Sequence, residues 1–259
     1  MEKRNNIEVE FLGTGTSQGV PVVACDCPVC ASNNDKDRRL RSSVFINVDG
    51  VHILIDAGPD FRQQMLRGNF KKLDAILITH EHADHIFGLD DIRAFNWVQS
   101  RSMDIYAEER VQESIKRVFD YVFAKSRYPG IPQMNLHIIN NEVFDVVGIS
   151  IMPIRGFHHK LPVYGFRIGT FAYLTDMKTI KEEDKNKLEG LDILVINALR
   201  KEEHISHFNV DGALELIEQV KPKRSYLTHV SHQMGFYDEI IKILPENVFF
   251  AYDGLKLSI

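Results

Sequence analysis

Four side chains of the types that bind metals lie within the short segment ILITHEHADHIFG. His80, His82, Asp84 and His85 follow directly after an apolar run that has the composition of a buried β-strand. A loop that leaves a strand end can direct two imidazoles at one ion, and the carboxylate and third imidazole can then face a neighbouring ion. The spacing predicts a metal site and a metal-dependent hydrolase. The competing interpretation is a turn in which Asp84 caps the following helix.

The length and charge of the chain limit what this metal site could serve. The 259 residues are 44% hydrophobic, which predicts a single domain over residues 1–259 with a substantial core. A net charge of -5 gives no general attraction for nucleic acid, so a small substrate is the expected partner. The charged start MEKRNN has no apolar signal segment, and no apolar run is long enough to span a bilayer. We therefore expect a cytoplasmic protein without a membrane partner.

The first part of the chain has the pattern of an antiparallel meander. Residues 7–12, 44–48 and 51–55 are apolar enough for strands, and Asp49-Gly50 between the last two is typical of a two-residue hairpin turn. Further strands are predicted at residues 136–139, 146–154, 164–168, 171–174 and 193–196.

Helices alternate with these strands. Apolar residues recur at helical spacing over residues 108–125, and a charged helix is predicted over residues 181–188. Many strands interrupted by helices favour two sheets packed face to face, with the helices on the outside. The predicted fold class is therefore α+β, a four-layer αββα sandwich whose functional loops gather along one sheet edge.

Three later strand ends supply the further donors that a binuclear site needs. His158 lies in RGFHHK, Asp176 in AYLTD and His229 in YLTHVSH, each after an apolar strand. Asp176 could bridge two ions, because a carboxylate has two oxygens and lowers the combined positive charge. It could also cap a helix that begins at Met177, and the two roles are compatible.

In this order, LIDAG, THEHADH, a mid-chain histidine, YLTD and LTHVSH resemble the motifs of the metallo-β-lactamase superfamily over nearly the whole chain. The resemblance implies two divalent ions, with Asp176 between them and Asp56 of LIDAG hydrogen-bonded to the histidine loop. It assigns the first ion to His80, His82 and His158, and the second ion to Asp84, His85 and His229.

Two points of this assignment stay open. His159 is the alternative to His158, although HHKL resembles the HSKL of related proteins, in which the first histidine is the ligand. Imidazole and carboxylate ligands accommodate Zn²⁺, Mn²⁺ or iron, so the residue types do not identify the catalytic metals.

A second cluster of ligand-type side chains lies outside this set. Cys25, Cys27 and Cys30 in ACDCPVC can occupy three corners of a tetrahedral zinc site. Together with His232 of THVSHQ they resemble the phosphodiesterases that hydrolyse phosphoribosyl 1,2-cyclic phosphate, in which a CDCxxC loop and the SHQ histidine hold structural zinc. The resemblance implies a structural Zn²⁺ bound by these four residues. The competing interpretation treats the cysteines as small buried apolar residues.

The resemblance also implies a mechanism. A hydroxide that bridges the two ions is the expected nucleophile, and a small, cyclic phosphodiester is the expected substrate. His207 in HISHFNVDGAL resembles the histidine that acts as general acid in phosphodiesterases of the superfamily. His207 and Asp84 are therefore the catalytic candidates. His204, three residues earlier, is expected to be a surface histidine.

Alternatives to this function remain. A tRNA 3′-end endonuclease of the same superfamily shares the metal ligands, but it grips its substrate through a basic arm, and the sequence has no obvious Lys/Arg-rich insertion. A non-catalytic metal-binding module could also keep these residues. The aromatic-rich stretch FDYVFAKSRYPGIPQ departs from the related proteins, and from Tyr128 onward it is a candidate lid or homodimer contact.

Overall fold

Alternating apolar residues build two β-sheets whose inner faces pack against each other. The computed structural model describes residues 6–126 and 129–259, so Tyr128 lies outside the described residues. Because successive residues of a strand point to opposite faces, one strand contributes to two apolar layers. In the strand Ser43–Val48, Val44 and Ile46 face the core between the sheets, whereas Phe45 faces the helices outside.

The first sheet contains an antiparallel half and a parallel half. Its strands are β1 (Ile7–Gly13), β2 (Ser43–Val48), β3 (Val51–Ile55), β4 (Ala75–Leu77), β5 (Met103–Ala107), β6 (Met134–Ile138) and β15 (Lys256–Ser258). Their order across the sheet is β15-β1-β2-β3-β4-β5-β6. The pairs from β15 to β3 are antiparallel, and those from β3 to β6 are parallel.

The second sheet repeats this arrangement. Its strands are β7 (Phe144–Val146), β8 (Ile149–His158), β9 (Leu161–Ile168), β10 (Phe171–Leu174), β11 (Thr179–Ile180), β12 (Ile193–Asn197), β13 (Arg224–Thr228) and β14 (Val248–Phe250). The order is β11-β8-β9-β10-β12-β13-β14, and β7 also pairs with β8. The strands from β10 to β14 run parallel, so their carboxyl ends share one edge.

The helices cover the outer faces of the two sheets. They are α1 (Phe61–Gly68), α2 (Ala83–Ile86), α3 (Arg93–Gln99), α4 (Glu109–Val118), α5 (Asp120–Phe123), α6 (Glu182–Lys185), α7 (Val210–Val220) and α8 (Tyr237–Ile240). Short 3-10 turns lie at Asp35–Asp37, Leu89–Ile92, Asn186–Leu188 and His232–Met234. None of the helices within residues 6–126 and 129–259 is long and apolar enough to cross a membrane.

Three apolar layers separate the four layers of secondary structure. The central layer joins residues of both sheets, such as Ile53 of β3 and Tyr173 of β10. A second layer holds Phe61 of α1 and Ile115 of α4 against the first sheet, and a third holds Ile217 of α7 against the second sheet. Two mixed sheets flanked by helices confirm the predicted α+β fold class and the αββα sandwich.

Two predicted elements differ in detail from the structure. The helix predicted over residues 108–125 is interrupted at Phe119, whose φ of -112° and ψ of 45° are not helical. The break leaves Val118 41% exposed and turns Phe119 and Val122 into the core. The single strand predicted over residues 146–154 is a hairpin, because the chain reverses at Val147-Gly148 between β7 and β8.

Candidate metal centre

Three of the predicted site residues follow the carboxyl end of a strand and have a left-handed backbone conformation. Asp56 follows β3, Asp176 lies two residues after β10, and His229 follows β13, with φ values of 63°, 57° and 55°. Such a conformation costs a non-glycine residue about 1–3 kcal/mol and is concentrated at functional sites. The chain continues from Asp176 into the strand β11 rather than into a helix, so the alternative role of Asp176 as a helix cap is wrong.

The histidine loop leaves the end of β4 and continues into the single-turn helix α2. His80 Nε2 and His82 Nδ1 lie 2.9 Å apart, which allows both nitrogens to contact one ion. His80 is fully buried, whereas His82 is exposed. The N-cap of α2 is His82, and no side chain makes a capping hydrogen bond there. Asp84 therefore does not cap this helix.

A second set of donors surrounds His85. Its Nε2 atom lies 3.0 Å from Asp84 Oδ2 and 3.3 Å from Asp176 Oδ2. This nitrogen is buried and makes no hydrogen bond to any described residue. The other oxygen of Asp176, Oδ1, lies 3.1 Å from His229 Nε2. His85 Nε2 is thus buried close to two carboxylate oxygens but forms no hydrogen bond with either. This arrangement is the one expected if a cation binds between the nitrogen and the oxygens.

Of the two adjacent histidines in RGFHHK, only His158 reaches this pocket. Its ring centre lies 5.2 Å from that of His82 and 5.9 Å from that of His80. His159 is exposed and forms the turn between β8 and β9. The geometry therefore favours His158 over His159 as the third imidazole next to the histidine loop.

The ligand atoms form three overlapping groups, within each of which all atoms lie within 4.8 Å of one another. The groups are His80 with His85 and Asp176, His158 with Asp176 and His207, and Asp84 with Asp176 and His229. Asp176 belongs to all three, which is the position that a bridging carboxylate requires. Nitrogen and oxygen donors arranged in this way could hold divalent metal ions.

Neighbouring groups determine which nitrogen of an imidazole faces the pocket. His85 Nδ1 donates to Asp56 Oδ2 at 2.7 Å, and the same carboxylate accepts from the Thr79 amide and hydroxyl, each at 2.9 Å. His158 Nδ1 donates to the Ser206 carbonyl at 2.9 Å. Because the proton of each ring is held at Nδ1, the Nε2 atoms are free to bind an ion.

Hydroxyl groups around His229 were not identified from the sequence. Its Nδ1 atom lies 3.1 Å from Ser42 Oγ and 3.3 Å from Thr175 Oγ1, and its Nε2 atom lies 3.2 Å from Thr16 Oγ1. Serine and threonine are common residues, and Ser42 lies 187 positions away from His229 in the chain. No local pattern could have linked the two.

Burial and mutual contact shift the pKa values in the pocket in opposite directions. Burial lowers the pKa of His229 to about 4, so the ring is neutral at neutral pH and can act as a ligand. Burial would also lower the pKa of His85, but the carboxylates of Asp84, Asp56 and Asp176 outweigh it and raise that pKa well above its ordinary value. The pocket therefore attracts positive charge, which either a proton or a metal ion can supply.

His207 faces the bridging carboxylate from the loop that precedes α7. Its Nε2 atom lies 3.1 Å from Asp176 Oδ1, and its ring stacks against that of His229 with the ring centres 5.0 Å apart. His204, which the sequence analysis placed on the surface, is half-buried, and its Nδ1 atom lies 3.2 Å from His207 Nδ1. That expectation was wrong, because the loop folds back and brings the two rings together.

The three cysteines of the second cluster lie next to the ring of His232. The Sγ atoms of Cys25, Cys27 and Cys30 lie 3.4, 3.3 and 3.5 Å from His232 Nδ1. A tetrahedral zinc ion with ordinary bond lengths would separate sulfur and nitrogen by roughly 3.6 Å. All three cysteines are free thiols, and the four side chains together could hold a metal ion.

The thiols of this cluster differ in acidity. The backbone N–H of Cys30 and the ring of His232 lower the pKa of Cys27 to about 6. Burial raises the pKa of Cys30 to about 11. In the metal-free protein at neutral pH, Cys27 is therefore a thiolate and Cys30 is a thiol.

The two-sheet sandwich and the pocket at its strand ends define the metallo-β-lactamase fold, and the protein belongs to the class of metal-dependent hydrolases. A family model described as a β-lactamase superfamily domain matches residues 52–230. This segment runs from β3 to the residue after His229, and so contains the histidine loop and Asp176.

The chain is similar to several known proteins and structures. The chain is 40% identical to a diphosphatase from the PhnP family, with a TM-score of 0.92 over 98% of this chain and 97% of that one. It is 43% identical over 252 residues to an octanoyltransferase of Porphyromonas gingivalis (strain ATCC BAA-308 / W83), which covers 96% of this chain but 51% of that protein. It is also 31% identical over 144 residues to a ribonuclease Z of Clostridioides difficile (strain 630), which covers 53% of this chain and 46% of that protein.

The chain thus spans about half the length of these last two relatives. With the family model and the near-complete match to the diphosphatase, the chain belongs to the β-lactamase superfamily and, within it, to the PhnP family.

Proposed function

We propose that the chain hydrolyses a small phosphodiester with two divalent ions in the pocket and with His207 as the general acid. The observation that carries this proposal is the position of Asp176. Its Oδ2 atom faces His85, its Oδ1 atom faces His229, and ligand atoms of His80 and His158 lie within 4.8 Å of its carboxylate. A carboxylate shared in this way suits two ions that neutralise a phosphoryl group between them.

The seven donors divide into two sets around that carboxylate. We assign the first ion to His80, His82 and His158, the second to Asp84, His85 and His229, and Asp176 to both. Two short distances support this division: 2.9 Å between His80 Nε2 and His82 Nδ1, and 3.0 Å between His85 Nε2 and Asp84 Oδ2. The lack of a hydrogen bond at His85 Nε2 supports it as well. When bound, the ions would activate a water molecule and polarise a phosphoryl oxygen. Zn²⁺, Mn²⁺ and iron all suit this donor set.

The residues of the chain then have separate tasks in the reaction. A water oxygen forms a bond to phosphorus and gives up one proton to the solvent, the bond from phosphorus to the leaving oxygen breaks, and the electron pair stays on the leaving oxygen. His207 Nε2 faces the pocket next to Asp176, so it can give its proton to that oxygen. Asp84 Oδ2 lies 3.0 Å from His85 Nε2, and the two side chains would hold the second ion together with His229.

A small substrate fits the charge of the chain better than an RNA does. The net charge of -5 offers no long-range attraction for a polyanion. A cyclic phosphodiester such as phosphoribosyl 1,2-cyclic phosphate remains our preferred substrate class. The 40% identity to a diphosphatase supports a second candidate, a small diphosphate, because hydrolysis at its phosphorus uses the same pocket. Cleavage of tRNA 3′ ends remains the alternative.

We also propose that Cys25, Cys27, Cys30 and His232 hold a structural Zn²⁺. Their sulfur–nitrogen separations of 3.3 to 3.5 Å are close to the edge of a zinc tetrahedron. His232 lies three residues beyond His229. An ion at this position would therefore tie the N-terminal loop to the segment that carries a ligand of the catalytic pair.

The decisive experiment compares hydrolysis by metal-free and reloaded protein. We expect release of p-nitrophenolate from bis(p-nitrophenyl) phosphate only after Mn²⁺ or Zn²⁺ is added. With a substrate whose leaving group is an alkoxide, His207→Ala should lower kcat by about 10²–10⁴-fold while metal content is unchanged. His159→Ala is the matched control, because His159 is an exposed histidine beside the pocket. Wild-type protein that binds the ions but shows no metal-dependent hydrolysis would contradict the proposal and leave a metal-binding module.

A substrate screen separates the candidates. We would compare phosphoribosyl 1,2-cyclic phosphate, 2′,3′-cyclic AMP, ADP-ribose and a precursor tRNA at equal metal concentration. A preference for the cyclic esters supports the preferred class, and a preference for ADP-ribose supports the diphosphatase. Size-exclusion chromatography with light scattering tests whether the chain forms a homodimer, which is one of the two roles considered for the aromatic-rich stretch.

A further inference from the structure

His204 contacts His207 but has no role in the proposed mechanism. It lies in the loop between β12 and α7, and its ring centre is 5.1 Å from that of His207. The next residue, Ile205, is 70% exposed. We propose that His204 is a positioning residue that holds the imidazole of His207 by accepting its Nδ1–H. This inference rests on the proposed role of His207 as general acid.

The direction of the hydrogen bonds follows from one backbone group. The amide of Ser206 can only donate, and it donates to His204 Nδ1 at 3.4 Å. His204 Nδ1 is therefore an acceptor. His207 Nδ1 lies 3.2 Å from the same atom, and two lone pairs would repel at that distance, so His207 Nδ1 carries the hydrogen.

This contact orients the opposite nitrogen of His207. With Nδ1 held against His204, Nε2 points at the pocket and lies 3.1 Å from Asp176 Oδ1. The ring is also confined by His229, whose plane is inclined by 17°, and by the edge of His158, whose ring centre is 4.4 Å away. These contacts restrict the tilt of the ring, and His204 restricts its rotation about the side chain.

The loop that carries both histidines is closed at its base. Asn209 Nδ2 donates to the Lys201 carbonyl at 2.9 Å, and Arg200 Nη2 donates to the Glu203 carbonyl at 3.0 Å. The same Asn209 side chain accepts from Gly212 N at 3.2 Å and caps α7. The loop is therefore anchored to a helix, which allows His204 to hold a fixed position although it is only half-buried.

Burial and nearby positive charges favour the form of His204 that this role requires. Burial lowers the pKa of His204, and the neighbouring His207, Arg200 and Lys178 lower it further. A neutral ring retains the Nδ1 lone pair that accepts from His207. The Ser206 hydroxyl lies 3.1 Å from His207 Nδ1 and 3.2 Å from His204 Nδ1, so it is a competing partner that the experiment must separate.

The leaving-group dependence of the rate tests this role, because a proton donor matters only when the leaving oxygen is a strong base. We would measure kcat and KM for p-nitrophenyl methyl phosphate and phenyl methyl phosphate in wild type, His204→Ala, His204→Asn, Ser206→Ala and Ile205→Ala. In His204→Ala, we expect kcat on the phenyl ester to fall by roughly tenfold or more, and kcat on the p-nitrophenyl ester to change by less than about threefold. KM should change little for either ester.

The other variants serve as rescue and controls. His204→Asn keeps an acceptor oxygen near the position of Nδ1, so it should recover most of the lost rate on the phenyl ester. Ile205→Ala perturbs the same loop without touching His207, and it should behave as wild type. If Ser206→Ala lowers kcat on the phenyl ester and His204→Ala does not, the hydroxyl is the partner and the proposal is overturned.

Nuclear magnetic resonance gives a readout that does not depend on activity. In the metal-free protein labelled with ¹⁵N-histidine, we expect an Nδ1–H proton of His207 that exchanges slowly with water. It should be absent from His207→Ala and exchange rapidly in His204→Ala, and its persistence in His204→Ala would overturn the proposal. Failure of the wild type to hydrolyse both esters with metal would overturn the proposed function and the inference with it. An active wild type with an equal loss on both esters in His204→Ala would overturn the role of His204 alone.

Discussion

Replacement of Asp56 by asparagine should weaken metal binding without disturbing the backbone. Asp56 is fully buried and has a φ of 63°, a left-handed conformation that asparagine tolerates well. The carboxylate accepts three hydrogen bonds, two from Thr79 and one from His85 Nδ1. An amide of the same shape has only one acceptor oxygen, so the three donors cannot all be satisfied.

Both orientations of the amide leave a conflict. With the nitrogen facing His85, the ring must move its proton to Nε2, the atom that faces Asp84 and Asp176. With the nitrogen facing the Thr79 amide, two buried donors oppose each other, which costs about 1–3 kcal/mol. Loss of a group that orients a metal ligand typically lowers affinity by about 10–100-fold. That range corresponds to about 1.4–2.7 kcal/mol, so the two estimates agree.

Equilibrium binding of Mn²⁺ tests this expectation. The free ion is followed by electron paramagnetic resonance during titration of metal-free wild type and Asp56→Asn. Asp74→Asn is a matched control, because Asp74 is a buried aspartate that accepts from the His52 amide and contacts Arg101 at the opposite end of β4. We expect Asp74→Asn to lose stability but to keep wild-type affinity. A folded Asp56→Asn protein with wild-type affinity for both ions would refute the ligand role of His85.

Two further outcomes follow from the geometry. Zinc binding to the cysteine cluster at pH 7.5 should release the proton of Cys30, whose pKa is about 11. The affinity for zinc should fall more steeply as the pH drops through about 6, because Cys27 is then protonated as well. A competition titration from pH 5 to 8 measures this dependence, and an affinity that is independent of pH would contradict it. Gly58→Ala should destabilise the fold by about 1–3 kcal/mol and reduce the metal content, because the added Cβ would lie 1.9 Å from the Asp84 carbonyl oxygen. Thermal unfolding and elemental analysis measure the two effects. Wild-type values in both would contradict this expectation and show that the histidine loop can move away.

The two hairpin turns show which parts of the fold can be predicted from the sequence. Asp49-Gly50 and Val147-Gly148 both reverse the chain with positive φ at each residue: 49° and 90° in the first turn, 53° and 83° in the second. Asp-Gly is a frequent pair in such turns, so the first hairpin was predicted correctly. Valine is β-branched and normally extended, so Val147 favours a strand at the position of the second turn. The sequence therefore predicts one strand where the structure has two.

The candidate site also has a part that the sequence predicts and a part that it does not. Histidine, aspartate and cysteine at metal-ligand spacings are informative because these residues have few other reasons to cluster. The partners that orient them are backbone carbonyls and hydroxyls, such as the Ser206 carbonyl 48 positions from His158. His204 was assigned to the surface because its partner depends on how the loop closes between Lys201 and Asn209. These contacts are set by the tertiary fold and leave no pattern in the local sequence.

The left-handed residues at the strand ends explain why short motifs are sufficient to mark the pocket. Asp56, Asp176 and His229 each occupy a conformation that costs about 1–3 kcal/mol, which is large against a total stability of about 5–15 kcal/mol. Such positions persist only where the surroundings determine them, and Asp56 and His229 are each held by several hydrogen bonds from other segments. The parallel strands deliver the chain to one edge, and the left-handed residue turns the side chain inward. The donors are thus positioned by the backbone of the two sheets.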